Sequence, residues 1–251
     1  NMQAVDLPVP ERAALEHSER LCRRIREVIT DHGGNISFAR YMEMALYEPG
    51  LGYYSSGTEK FGGAGDFVTA PDISPLFAQC LARQCQQILP LLQAPAILEL
   101  GPGSGAMACE LLTALEQQQC LPEHYFMLEV SADLRARQRQ LMQRKIPHLL
   151  PRVMWLDSLP AREFSGIVLA NEVLDAMPVS RYLFTDGGPG ELCVGIDAGK
   201  FTWTVMPPAP EKLSGLMSLV QDVKPDWPAS YVTEINHDLA PWIASVTEKL
   251  R

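Results

Sequence analysis

The run Ala96-Ile97-Leu98-Glu99-Leu100-Gly101-Pro102-Gly103-Ser104-Gly105-Ala106 has the residue types and spacing of a cofactor corner. A short apolar stretch ends in an acid, a glycine-rich turn follows at once, and Met107 to Gln118 reads as a helix. Strand, turn and helix in that order bring a ligand onto backbone. Glycine permits close approach, and the helix N-terminus offers N–H groups with no partner inside the helix. An acid before the turn suits a bare phosphate poorly. It suits a cofactor with ribose hydroxyls and a cationic amine, and S-adenosylmethionine has both. The candidate contacts here are Glu99, Gly101, Pro102, Gly103, Ser104 and Gly105.

Other turn chemistries compete. A P-loop requires G-x-x-x-x-G-K, and no Lys follows. A nucleophile elbow requires G-x-S-x-G, but Pro102 stands two residues before Ser104. The dinucleotide fingerprint G-x-G-x-x-G/A does fit Gly101, Gly103 and Ala106. A nicotinamide-dependent oxidoreductase therefore stays open, although no Tyr-x-x-x-Lys signature accompanies it. Gly105 and Glu99 favour the first reading.

The next acids fall at the ends of expected strands. Glu129 closes Tyr125-Phe126-Met127-Leu128-Glu129, where a carboxylate can take both hydroxyls of an adenosine ribose. Val130 joins it in the nucleoside set. Asp157 and Ser158 follow the third strand and can face adenine or cap a turn. Asn171, Glu172 and Asp175 follow the fourth strand, Gly166 to Leu169, and point toward the reacting group. A carboxylate there can hold, and deprotonate, a nitrogen nucleophile. An acidic helix start is the plainer alternative. The loop Gly62-Gly63-Ala64-Gly65-Asp66-Phe67-Val68-Thr69-Ala70-Pro71 is a candidate lid with Asp66 and Thr69 as polar contacts. Tyr41, Tyr47, Tyr53 and Tyr54 are read as packing and not as ligands.

These residues need a scaffold of alternating strands and helices. Strands are expected at 96–100, 125–129, 153–156 and 166–170, with helices at 106–118 and 132–145. That alternation implies a parallel sheet with right-handed crossovers. Upstream, helices are expected at 11–32, at 38–46 capped by Ser37, and from Ser74 or Pro75 to Leu92. Downstream, strands at 180–185, 191–197 and 200–206 are joined by Asp186-Gly187-Gly188 and Asp197-Ala198-Gly199, which are hairpin turn signals. Helices at 211–222 and 237–250 follow.

The chain has 251 residues, 47% hydrophobic and 20% charged, which predicts a packed core. A formal charge of −9 argues against nucleic acid as the main partner. Arg20, Arg23, Arg24 and Arg26 read as a solvated helix face. Six cysteines form no C-x-x-C pair and show no zinc spacing, so a reduced compartment and no metal are expected. No apolar run is long enough for membrane insertion.

Several segments together resemble one family. They are Ile36-Ser37-Phe38 through Tyr41-Met42, Tyr47-Glu48-Pro49-Gly50-Leu51-Gly52-Tyr53-Tyr54, Gly65-Asp66-Phe67-Val68-Thr69-Ala70-Pro71-Asp72-Ile73-Ser74, Glu99 to Gly105, Glu129-Val130-Ser131, and Ala170-Asn171-Glu172-Val173-Leu174-Asp175-Ala176-Met177-Pro178. The chain is similar to S-adenosylmethionine-dependent methyltransferases of the MidA type, whose mitochondrial members methylate an arginine of a respiratory complex I core subunit. The resemblance implies an α/β, class I methyltransferase (Rossmann-like) parallel sheet with a helical N-terminal extension and a small β insertion. It implies S-adenosyl-L-methionine as cofactor and methyl transfer to a protein, with arginine the favoured acceptor. Gly101, Gly103 and Gly105 would line the methionine part, Glu129 the ribose and Asp157 the adenine side. Asn171 and Glu172 would face the acceptor. The family continues past residue 251, so the chain is expected to be truncated at its C-terminus. The expected divisions are a helical and lid region at 1–92, a cofactor-binding core at 93–179, a β-hairpin insertion at 180–210, and a helical segment at 211–251. The expected location is a bacterial cytoplasm, or the mitochondrial matrix for a eukaryotic chain. A non-catalytic assembly module on the same fold is the remaining alternative.

Overall fold

The computed structural model describes residues 10–55, 70–223 and 230–251. In chain order the elements are α1 (Arg12–Asp31), β1 (Asn35–Ser37), α2 (Phe38–Tyr47), α3 (Ala70–Ile73), α4 (Leu76–Ile88), β2 (Ala96–Leu100), α5 (Ala106–Gln117), β3 (His124–Leu128), α6 (Ala132–Lys145), β4 (Val153–Leu156), β5 (Gly166–Ala170), β6 (Ser180–Thr185), β7 (Gly188–Asp197), β8 (Lys200–Met206), α7 (Pro210–Val223), β9 (Ser230–Ile235) and α8 (Leu239–Thr247). They form two units, one from residues 1–56 and 177–237, the other from 57–176 and 238–251.

The second unit carries the glycine-rich turn. Its four strands are parallel, in the order β4-β3-β2-β5. Because strand side chains alternate between faces, the two cores can be read off the register. Ile97, Tyr125, Met127, Ile167 and Leu169 share one core with Ala78, Ala82 and Cys85 of α4 and with Leu111, Leu112 and Leu115 of α5. Leu98, Leu100, Phe126, Leu128 and Val168 share the other with Trp242 and Val246 of α8. Each fully buried Leu or Ile contributes on the order of 1.5–3 kcal/mol. Gly166 opens β5 because a Cβ there would lie 1.9 Å from the Ala96 carbonyl oxygen. The final helix is shorter than 237–250 because the last residues turn to pair with Phe164, just ahead of β5. Phe164 N–H donates to Lys249 C=O and Arg251 N–H to Phe164 C=O, each at 2.9 Å.

The first unit is built on an antiparallel sheet, β1-β7-β6-β9, with β8 on β7. The strands expected as a hairpin insertion belong to this larger sheet. It recruits β1 from the N-terminal region and β9, which falls within the stretch 211–251 expected to be helical and instead pairs with β6. The β6–β7 hairpin pairs Thr185 with Gly188, so β7 starts three residues earlier than expected. Gly188-Pro189-Gly190 reads as a breaker, yet Gly190 is required in the strand: a Cβ there would meet Val205 Cγ1 at 2.4 Å. In the β7–β8 hairpin, Ala198 and Gly199 both have positive φ, 45° and 76°, the twist that matches flanking strands. Ile25, Val28 and Ile29 of α1 pack with Ile36, Met44 and Val194. Ser37 caps α2 as expected, accepting from Arg40 N–H at 3.2 Å. The tyrosines pack: Tyr54 lies against Tyr47 and Tyr53, and Tyr41 against Phe201. No helix among the described residues is long and apolar enough to cross a membrane.

Candidate cofactor and acceptor site

The turn leaves β2, whose five residues are all buried, and runs directly into α5. Its three glycines have φ of +62° (Gly101), +53° (Gly103) and +80° (Gly105), a region that L side chains enter at a cost. Two of them also border other groups closely. A Cβ on Gly101 would sit 3.1 Å from Val173 Cγ2, and one on Gly105 would sit 3.1 Å from Gln138 Cγ. Gly105→Ala therefore combines backbone strain with a close contact. A loss of about 2 kcal/mol is expected, read as a thermal midpoint lower by roughly 4–8 °C. Gly33 has the same φ, +79°, with nothing within 4 Å of its Cβ position. Gly33→Ala should therefore lose only about 1 kcal/mol, the strain alone.

Side chains fix the turn from two directions. Ser104 Oγ donates to Asp72 Oδ1 of α3 at 2.8 Å. Gln138 of α6 donates from Nε2 to the Gly103 carbonyl at 2.9 Å. Pro102 is buried and its carbonyl accepts from Gly105 N–H at 2.8 Å, closing the turn.

Glu99 points into the core shared with α4 and α5 and is 1% exposed. Its Oε2 accepts from Tyr125 OH at 2.8 Å. Burial raises its pKa to about 7, opposed by the phenol and reinforced by the charge of Glu129.

Glu129 stands one residue past β3 and is 7% exposed. Oε1 accepts from Ser131 N–H at 2.9 Å, and Oε2 from Gln138 Nε2 at 3.2 Å. A carboxylate has about four acceptor positions. These two bonds do not exhaust the carboxylate, which can still accept from a ligand hydroxyl. Burial raises the Glu129 pKa, and Ser131, Gln138, the Arg135 charge and the Val130 N–H oppose that shift. Val130 beside it is 74% exposed, an apolar surface next to the acid. Asp157 pairs with Arg135, which also donates to the Glu129 and Leu156 carbonyls and so ties the ends of β3 and β4 together. Ser158 is exposed.

Asn171, Glu172 and Asp175 follow β5, the strand beside β2, and Val173 between them borders the turn at Gly101. Glu172 is exposed and has a φ of +51°, unusual for a residue with a side chain. Asp66 and Thr69 lie outside the described residues. The structure adds three polar residues that the sequence does not single out as contacts: Asp72, Arg135 and Gln138. An acid three residues after Thr69 in the lid segment was a signal for Asp72. Arg135 and Gln138 lie on a helix between two strands, and only the α6 packing shows which side chains reach the strand ends.

The cradle suits a nucleoside cofactor. It has three left-handed glycines, a turn held without lysine, and a buried acid with acceptor capacity left for a ligand hydroxyl. Comparison with known proteins agrees. The family model Methyltransf_28, S-adenosyl-L-methionine-dependent methyltransferases, matches residues 80–251. A protein of Burkholderia thailandensis whose crystal structure contains S-adenosyl-homocysteine is 43% identical, with a TM-score of 0.89 over 98% of this chain and 63% of that one. Protein arginine methyltransferase NDUFAF7 of Danio rerio is 32% identical over 65% of this chain, and its Drosophila melanogaster homologue 30% identical over 70%. The chain spans 44% and 45% of the lengths of those two relatives. Of the two cofactor readings that the G-x-G-x-x-A turn left open, the comparisons favour the methyl donor over the nicotinamide. The chain belongs to the S-adenosyl-L-methionine-dependent methyltransferase family, and its fold is of the class I type.

Proposed function

We propose that this protein methylates a nitrogen of a protein arginine. The observation that carries the reading is Glu172, an acid held at positive φ at the end of β5, in a loop that borders the glycine-rich turn. Backbone strain at a strand end is retained where a side chain must be aimed. The names of the NDUFAF7 relatives supply the acceptor class.

Gly101, Pro102, Gly103, Ser104 and Gly105 hold the methionine portion of the cofactor, with Glu99 beneath them. Glu129 takes the ribose hydroxyls, Val130 covers one face of adenine, and Asp157 and Ser158 border its edge. S-adenosylmethionine supplies an electrophilic methyl on a sulfonium. The Glu172 carboxylate accepts two N–H bonds from the guanidinium, which fixes the plane of the acceptor and the direction of its nitrogen. Asn171 and Asp175 flank that contact. Transfer would break the sulfonium's bond to the methyl and leave S-adenosylhomocysteine, and the proton shed by the methylated nitrogen would pass to the Glu172 carboxylate that holds it. Catalysis is then mainly positioning.

The test uses labelled S-adenosylmethionine, the protein, and extracts or peptides rich in arginine, with modified residues located by mass spectrometry. Methyl groups on arginine nitrogens support the reading. Methyl groups confined to lysine, carboxylate or small molecules overturn the acceptor. Tight cofactor binding without transfer to any acceptor favours the assembly module.

A further inference from the structure

We propose that Gln138 is a positioning residue of the nucleoside site, locking the Glu129 carboxylate and the glycine-rich turn into one arrangement. The inference rests on the reading of Glu129 as the ribose acid. Gln138 is wholly buried. Its amide nitrogen donates to the Gly103 carbonyl at 2.9 Å and to Glu129 Oε2 at 3.2 Å. Its amide oxygen accepts from Trp155 Nε1 of β4 at 2.9 Å. One side chain therefore joins the turn after β2, the acid after β3 and the middle of β4.

The partners fix which way the amide lies. An indole N–H can only donate, and a carboxylate and a carbonyl can only accept. Turning the amide over would set N–H against N–H at Trp155 and oxygen against oxygen at Glu129. Trp155 thus acts as a key that holds both amide hydrogens toward the site. Ser131 N–H grips the other oxygen of Glu129, so the carboxylate is held at one oxygen from the N-cap of α6 and at the other from its middle. Its plane is set before any ligand arrives, and the affinity that would otherwise be lost in ordering it is kept. The fit is also steric, since Gln138 Cγ occupies the space that a side chain on residue 105 would need.

No other residue type reproduces this. Gln138→Met keeps the length and apolar volume but removes both donors and the acceptor. Gln138→Glu sets a second carboxyl against Glu129.

The experiment is calorimetric titration of S-adenosylhomocysteine into the parent chain and its variants, repeated across pH. Gln138→Met should weaken binding about tenfold. It should also move the acid limb of the affinity profile to higher pH, because Glu129 loses a donor that favours its charged form. A loss of packing alone would not shift that limb. In combination with Glu129→Gln, the Gln138→Met change should cost less than its roughly tenfold in the parent, since the part of its effect that passes through the carboxylate is already lost and only the contact with the Gly103 carbonyl remains. If Glu129→Gln binds as tightly as the parent, the ribose assignment itself falls. If Glu129→Gln is weakened more than tenfold while Gln138→Met keeps parental affinity and profile, the positioning role alone is overturned. Should Gln138→Met not fold, Trp155→Phe carries the test. It removes the indole donor together with part of a ring that packs on the core and under Arg139, and should weaken binding about threefold with the acid limb moved as in Gln138→Met; parental affinity and profile would overturn the proposal.

Discussion

Replacing Glu172 by glutamine is expected to lower kcat/KM for the protein acceptor by about 10²–10³-fold while leaving the affinity for S-adenosylhomocysteine at its parental value. Two charge-assisted hydrogen bonds to a guanidinium are worth about 1.5–3 kcal/mol each, and an amide that must present one oxygen and one N–H cannot make both. The residue is exposed, so the fold does not depend on its charge. Its backbone makes a sharper test possible. At a φ of +51°, a side chain with a Cβ sits in a conformation that glycine adopts freely. Glu172→Gly should therefore raise stability by about 1 kcal/mol, roughly 2–4 °C in thermal midpoint, while removing the acceptor contact. A variant more stable and much less active is what an acid retained for chemistry predicts. If Glu172→Gly loses stability, the loop is held for structural reasons. If Glu172→Gln keeps full methyl transfer, the acceptor contact lies elsewhere.

The amount legible in the sequence follows from how local each signal is. β2, the glycine turn and α5 are contiguous, and the chemistry of the turn requires glycine at each left-handed position. Spacing alone therefore located them. The strand-end acids were legible for the same reason: a parallel sheet places all its C-terminal ends at one edge, so counting strands locates Glu129, Asp157 and Glu172. The antiparallel sheet was legible only where hairpins are tight. β1 pairs Asn35, Ile36 and Ser37 with Gly195, Val194 and Cys193, far along the chain, and three residues carry no periodicity of their own. β9 pairs with β6 across a shorter gap that still holds a hairpin and a helix, and it shows its alternation, Tyr231, Thr233 and Ile235 inward, only once its partner is known. Gln138 marks the same limit at the site. In sequence it is one polar residue in a strongly polar helix, and three hydrogen bonds to three separate segments distinguish it. Asp72 differs again: it follows the lid motif directly, but its contact with Ser104 joins residues 32 positions apart, which spacing does not disclose.

The second large effect concerns Glu99 and pH. Its pKa in the folded protein is about 7, against an ordinary 4.5. Burial is the principal cause, and Tyr125 OH supplies the hydrogen bond that keeps the value from rising further. Between those two values the folded chain keeps a proton that the unfolded chain has released. Folding takes up a proton across this window, so stability falls as pH rises from about 4.5 to about 7 and levels off above it. A shift of this size corresponds to a loss on the order of 3 kcal/mol. Glu129, also raised by burial, adds a slope of the same sign. Glu99→Gln should remove the larger part. The amide oxygen still accepts from Tyr125, no charge is buried, and the variant should match the parent near pH 4.5 and exceed it at pH 8. Tyr125→Phe should act oppositely: without the phenol donor the charged carboxylate is less favourable, and the falling limb extends to higher pH. Denaturant unfolding of the three chains across pH 4.5 to 8 measures this directly. Parallel curves for parent and Glu99→Gln would show that Glu99 is charged throughout, with a counter-charge beside it that the described residues do not supply.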